Sequence, residues 1–348
     1  MRAMNYAIGL DLGGTNIKAL AVTSAGRVLA QTLVPTGDNG KRGWHKNVGR
    51  ARDALVEKLK QPPTWIGLAA PGLAARDQAS VAFMPGRLPG LEGLDWQKFL
   101  KVSHPVPVLN DAHAALLGEV WRGAARGSQN AILLTLGTGV GGAALVDGRL
   151  LRGQIGRAGH LGHISLDPAG ALDIARTPGS LEDAIGDCTV NVRSAGRFSS
   201  TKQLVAASNK GDAEAQQVWR KSVQALAAGV ASLINVLDPE IVVIGGGIAG
   251  AKAALFRPLE KYLNDFEWRP GGHKARVVPS KLGDRAGAFG AAWNAMRFLS
   301  PAEVERAGVR GNARFAQVGG SCSGAEQTPH PDPLPFRRGE GISLTKLS

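Results

Sequence analysis

The run YAIGLDLGGTNIKALAVTSAGRVLAQTLVP, Tyr6–Pro35, alternates apolar segments with two short turns. Gly13-Gly14 breaks the first apolar stretch and Ser24-Ala25-Gly26 the second, so the run reads as strands joined hairpin-fashion by tight turns. Glycines carry no Cβ, and a turn built from them lets backbone N–H groups approach an oxyanion closely. A second unit of this kind covers 130–151, NAILLTLGTGVGGAALVDGRLL, and turns at Gly137-Thr138-Gly139. Two halves that each open with strand, glycine turn and strand form an internal repeat suggestive of duplication.

Outward from these units, helices and strands alternate. A helix is expected over about 44–60, and WIGLAAPGL reads as a buried strand that ends at Pro71-Gly72. After a Pro/Gly-rich loop at 85–93, VPVLND is a short strand ending on Asn110-Asp111. Leu116, Leu117, Val120 and Trp121 then recur at helical spacing. In the second half, 212–237 fits a long helix that Asp238-Pro239 breaks. EIVVIGGGIA is a buried strand running into a third glycine turn, and a strand at 275–279 and an Ala-rich helix at 286–299 follow. The pattern predicts an α/β chain, with Asn110-Asp111 at the expected junction between two domains. From Ser300 to Ser348 the chain is rich in Pro, Gly and Ser, lacks periodicity, and reads as a disordered tail.

Bulk properties narrow the function. The 348 residues are 44% hydrophobic, enough to bury a large core, and the length suits two domains. Cys188 and Cys322 stand far apart, which argues against a disulfide framework and a cysteine-based zinc site and points to a reducing, cytoplasmic setting. The opening residues show neither the long hydrophobic region nor the cleavage site of a signal peptide, and no apolar run approaches bilayer-spanning length. The net charge of +13 suits an anionic partner such as a nucleotide phosphate, and general solubility as well. Its basic residues are scattered (Arg122, Arg126, Arg149, Arg152, Arg157) and form no run interleaved with aromatics, so no nucleic-acid partner is expected.

Three glycine turns follow apolar strands: Asp11-Leu12-Gly13-Gly14-Thr15-Asn16, Gly137-Thr138-Gly139-Val140-Gly141-Gly142 and Gly245-Gly246-Gly247. None has the G-x-x-x-x-G-K-[ST] spacing of a Walker loop, and the last lacks the G-x-G-x-x-G dinucleotide pattern. Asp11 ends a buried strand, where a carboxylate is costly without a partner such as hydrated Mg²⁺. Asn110-Asp111 ends another, and two readings of it stay open: a helix N-cap, or a general base taking a hydroxyl proton during phosphoryl transfer. The run GQIGRAGHLGHISLD, Gly153–Asp167, adds His160 and His163.

IGLDLGGTNIKALAV, NDAHAALLGEVWRGAARG, LLTLGTGVGGAALVDGRLLRG, AGHLGH, GSLE and LDPEIVVIGGGIA occur in the order found in the ROK family, and the resemblance covers about residues 5–299. It implies a two-domain actin-like ATPase (ribonuclease H-like) fold with a cleft between domains, residues 1–110 with the closing helix 286–299 as one and 111–285 as the other, together with ATP and Mg²⁺, a hexose acceptor, and commonly a homodimer. By the family's pattern, Asp11, Gly13, Gly14 and Thr15 with Gly137, Thr138, Gly139 and Gly141 hold the phosphates. Asp11 serves the Mg²⁺, Gly245, Gly246 and Gly247 flank the adenosine, and Lys18 is structural or a weak phosphate contributor. Asp111 is the implied base, and Asn110, His160, His163 and Glu182 line the sugar.

The chain also departs from the family. His160 stands where a Glu is usual, and His163 matches a His that binds sugar and commonly a structural zinc. The remaining zinc ligands come from a cysteine loop, and GALDIARTPGSLEDAIG has no cysteine here, so zinc is expected to be absent. Gly86-Arg87-Leu88 replaces a usual Pro-Asn-Leu, with Arg87 expected to point into solvent. Glucokinase activity is the leading expectation. A non-catalytic or regulatory sugar-binding protein is one alternative, and a kinase of N-acylated amino sugars or one using polyphosphate is another.

Overall fold

Each half of the chain builds a five-stranded sheet, and the two sheets share one topology. The computed structural model describes residues 5–37 and 43–299; the expected tail from Ser300 lies outside the described residues. The first half contains β1 (Ala7–Leu12), β2 (Asn16–Val22), β3 (Val28–Pro35), α1 (Gly43–Leu59), β4 (Trp65–Ala70), β5 (Leu73–Ala74), β6 (Val81–Phe83), α2 (Trp96–Leu100), β7 (Val108–Asn110) and α3 (Asp111–Arg122). The second contains β8 (Ala131–Leu136), β9 (Val140–Val146), β10 (Arg149–Leu150), α4 (Leu181–Ile185), α5 (Val190–Arg193), α6 (Thr201–Asn209), α7 (Ala213–Leu237), β11 (Ile241–Gly245), α8 (Ala253–Phe266), β12 (Arg276–Pro279) and α9 (Ala286–Leu299).

The strand orders are β3-β2-β1-β4-β7 and β10-β9-β8-β11-β12, with β5 and β6 forming a small separate pair. In each large sheet the leading strand pairs antiparallel with the second and parallel with the fourth. The glycine-turn repeat in the sequence is thus the first hairpin of each sheet.

Strand alternation explains where the site forms. Along β1, Ile8, Leu10 and Leu12 enter a core with Trp44, Val48, Leu55 and Trp96. Ala7 faces the opposite way, into a cluster with Ala288, Phe289 and Ala292 of α9. With a period of two, Gly9 and Asp11 share that α9 face. Helix α9 lies on β1 and β4 and packs along α3. In the second half, Ile132, Leu134 and Leu136 join a core with Trp219, Val223, Leu226 and Val230 of α7, while Ala131 and Leu133 face the α3 side.

Glu119 ties this arrangement together. It is fully buried on α3 and accepts hydrogen bonds from the Ser280 hydroxyl (2.6 Å) and the N–H groups of Ala124 (2.6 Å), Leu282 (2.8 Å) and Lys281 (3.2 Å). A buried carboxylate is tolerated when its lone pairs are satisfied in this way. The segment between β12 and α9 is thereby fastened to α3. No helix among the described residues is long and apolar enough to cross a membrane.

Candidate active site

Asp11 lies opposite Lys18 in the β1–β2 register, so the two side chains share one face. The start of α9 presses against the carboxylate: a Cβ on Gly287 would lie 2.7 Å from its Oδ2. The Asp11 side chain keeps some exposure, yet the packing around it pushes its pKa up to about 7. Lys18 opposes the shift, and Asp111 and Asp284 reinforce it. A hard, partly open carboxylate oxygen crowded by protein and by other carboxylates suits a divalent cation such as Mg²⁺.

The first turn is held from behind. The Thr36 hydroxyl donates to the Gly13 carbonyl (2.6 Å), and the Thr36 N–H to that of Thr15 (2.8 Å). Gly14 and Thr15 remain exposed. Arg87 is an exposed residue, as expected, but its guanidinium lies over Gly14, in the space a Cβ would occupy.

Of the two readings of Asn110-Asp111, the helix N-cap belongs to Asn110. Asn110 is the N-cap of α3: its Oδ1 accepts from the N–H groups of Ala112 (3.0 Å) and His113 (3.3 Å), and its Nδ2 donates to the Gly72 carbonyl (3.0 Å). Asn110 is also buried, and these bonds hold the start of α3. Asp111 is exposed and accepts from its neighbour's N–H (Ala112, 2.8 Å). Protein packed around it raises its pKa against the opposing pull of that N–H and of Asn110. A solvent-accessible carboxylate made more basic is what proton abstraction from a hydroxyl needs.

The histidine loop lies against β9 because Gly142 and Gly162 have no Cβ. One at Gly142 would strike the Gly159 carbonyl and Leu161, and one at Gly162 the Val140 carbonyl. The sequence reading missed His113. Its Nε2–H donates to the Ala158 carbonyl (3.0 Å), and its ring lies 5.9 Å from that of His160. Burial, and then His160, lower the His113 pKa to about 4, so this ring is neutral. Burial, and then His163, also lower the pKa of His160. Its Nε2 is buried with no hydrogen-bond partner among the described residues, an atom in need of one.

His163 donates from Nδ1 to Oδ2 of Asp173 (2.8 Å), another residue the sequence did not signal. Burial alone would raise the Asp173 pKa, but the bonds from His163 and the Thr177 N–H outweigh it and hold the carboxyl below its ordinary value.

Glu182 accepts from the Val140 N–H (2.9 Å) and lies against Gly139, so it belongs to the second turn as well as to the loop that carries it. Gly141 lets β9 pass close to Thr135. Beside this turn opens a cavity of about 720 Å³, lined by Gly137, Thr138, Asp187, Thr201, Lys202 and Gly247 among others. Gly245 ends β11 buried, and Gly246, which is exposed, takes a left-handed φ of 84° against the Leu136 backbone; neither lines the cavity, which Gly247 does.

Residues 7–297 match the family model described as the ROK family. The glucokinase of Thermotoga maritima is 32% identical over 306 residues, covering 82% of this chain and 95% of that one. The ROK hexokinase from Thermus thermophilus superposes with a TM-score of 0.73 at 30% identity, over 85% of this chain and 99% of the other. A ROK family glucokinase from Streptomyces griseus, solved in complex with glucose and AMPPNP, gives 0.69 at 29% identity, over 84% and 100%. The fold shared with these structures is the two-domain actin-like ATPase fold.

Proposed function

The chain belongs to the ROK family and is an ATP-dependent sugar kinase, and from that premise we propose that it transfers the γ-phosphoryl group of ATP to a hexose hydroxyl, with glucose the leading acceptor. The observation that carries this reading is Asp111, an exposed carboxylate of raised pKa on the first turn of α3, close enough to Asp11 for their charges to interact. On this reading the cavity beside Gly137, Thr138 and Gly247 takes the nucleoside. The two glycine turns cradle the phosphates between 1–110 and 111–285, two domains that close to exclude water.

Asp111 accepts the hydroxyl proton as that oxygen bonds to the γ-phosphorus; the bond from the γ-phosphorus to the bridging oxygen breaks, and ADP leaves. Arg87 over Gly14 and Lys18 beside Asp11 add positive charge around the first turn. Asp11 is the residue that would hold a divalent ion bound with ATP, which would supply neutralisation of phosphate charge. His160, through its unpartnered Nε2, and His163 contact sugar hydroxyls. Oε1 of Glu182 is the oxygen left to do so. Asn110 acts through Asp111 by fixing the start of α3.

The test is ADP release with Mg·ATP against a panel of hexoses and amino sugars. Sugar-dependent turnover is expected, strongest with glucose. Calorimetric sugar binding without turnover for any member would overturn the kinase reading.

Asp11 also predicts a pH dependence. Below about 7 it carries a proton in the free protein, and proton and cation compete for it. The free Mg²⁺ needed for half-maximal turnover is expected to rise about tenfold from pH 8 to pH 6. Asp11→Asn, which has no proton to lose, should flatten that dependence; a wild-type requirement constant over this range would remove Asp11 from the cation site.

A further inference from the structure

The segment between His163 and α4 is closed on itself without a cysteine. Ser165 bridges to Ser180 and Leu172 to Pro178. The Leu166 N–H donates to the Gly179 carbonyl (2.8 Å) and the Gly179 N–H to the Ala171 carbonyl (2.8 Å). At the tip, Asp173 has no side-chain exposure. Its Oδ1 accepts from the N–H groups of Ala175 (2.9 Å) and Thr177 (2.8 Å), and its Oδ2 from His163 Nδ1 (2.8 Å). One buried carboxylate thus closes the loop tip and grips the imidazole.

The family resemblance implies a zinc at His163, and the residues present do not fit one. The Nδ1 of His163 is bonded to Asp173, whose two oxygens already accept three donors. The described residues contain no group of three or more His, Cys, Asp or Glu side chains placed to hold a metal. Structural zinc needs four such ligands.

We propose that Asp173 is a positioning residue that takes the place of the metal: its carboxylate fixes the loop and holds His163 with Nδ1 protonated and Nε2 directed to the sugar. The inference rests on the sugar-pocket reading of His163. A carboxylate on one imidazole nitrogen sets the tautomer and orientation of the ring, and hence the hydrogen bond the other nitrogen makes. In this tautomer Nε2 is the ring nitrogen that accepts from a sugar hydroxyl.

The experiment combines Asp173→Asn, zinc removal and ¹⁵N NMR of the histidine rings in the full chain. Asn at 173 retains an oxygen for the Ala175 and Thr177 N–H groups, so the loop tip survives. Its amide in place of Oδ2 offers Nδ1 a donor instead of an acceptor. Wild-type protein should show His163 protonated at Nδ1, and the variant should lose that signature. The sugar KM should rise about tenfold, the scale seen when an orienting partner is lost, with kcat changed much less. Exhaustive zinc chelation followed by restored Mg²⁺ should leave wild-type sugar affinity unchanged.

Stoichiometric zinc in the purified protein, or loss of sugar binding on chelation, would overturn the proposal. So would an Asp173→Asn variant with wild-type tautomer and KM. If wild type neither binds nor turns over any sugar, the kinase reading fails, and the ring signal alone still decides whether Asp173 sets the His163 tautomer.

Discussion

Asp111→Asn is expected to lower kcat by about 10³-fold while leaving sugar affinity within a few-fold of wild type, in the range for loss of a positioned general base. That is roughly 4 kcal/mol of transition-state stabilisation. The substitution is nearly isosteric, and an Asn oxygen can still accept from the Ala112 N–H as Asp111 does at 2.8 Å. The start of α3 depends on Asn110, not on Asp111, because Asn110 accepts from both the Ala112 and His113 N–H groups. The fold should therefore persist, and the melting temperature should move little. Steady-state kinetics paired with sugar calorimetry checks this. Turnover within tenfold of wild type would exclude Asp111 as the base and leave the hydroxyl proton to solvent or phosphate. A loss confined to KM would make Asp111 a binding group.

The asymmetry between Asn110 and Asp111 shows where sequence reasoning reached its limit. Adjacent polar residues at a strand end pointed to a cap or a base, and the structure assigns the cap to the first. Strand alternation and glycine turns are local signals, so the strands of both large sheets, α3 and α9 were legible, while the order of those strands across each sheet was not. The short helices α4–α6 and the β5–β6 pair carried too few periodic residues to be seen. The roles of His113, Asp173 and Arg87 depend on contacts 45, ten and 73 positions away along the chain, with Ala158, His163 and Gly14. Nothing in the spacing LDIARTPG announces that its aspartate will close on a histidine upstream; burial and loop geometry create that bond. Glu182 matched a sugar ligand by motif, and its bond to the Val140 N–H was visible only after folding brought α4 to the second turn.

Gly290→Ala should be among the most damaging single-methyl additions available. In an exposed helix interior the same change stabilises by up to about 1 kcal/mol. Here a Cβ on Gly290 would fall on the Ala114 carbonyl of α3, and one on Gly118 would fall on the Ala286 carbonyl of α9. The obstruction is backbone, so no rotamer change relieves it. Helix α9 cannot retreat freely either. On its other side Gly9 of β1 meets the Ala288 carbonyl and Gly67 of β4 the Ala291 carbonyl, equally without space for a methyl group. Overpacking of this kind costs about 3 kcal/mol, which for a chain of this size lowers the melting temperature by roughly 5–10 °C. The displacement should also reach the chemistry, because α3 starts at Asp111 and Gly287 near the start of α9 abuts Asp11. Gly49→Ala on α1 is the matched control, since nothing lies within 4 Å of the added methyl there; it should melt at or slightly above wild type. If Gly290→Ala instead melts with the control and retains full kcat, α3 and α9 separate without cost. The close crossing of these helices then does not hold Asp11 and Asp111 in register.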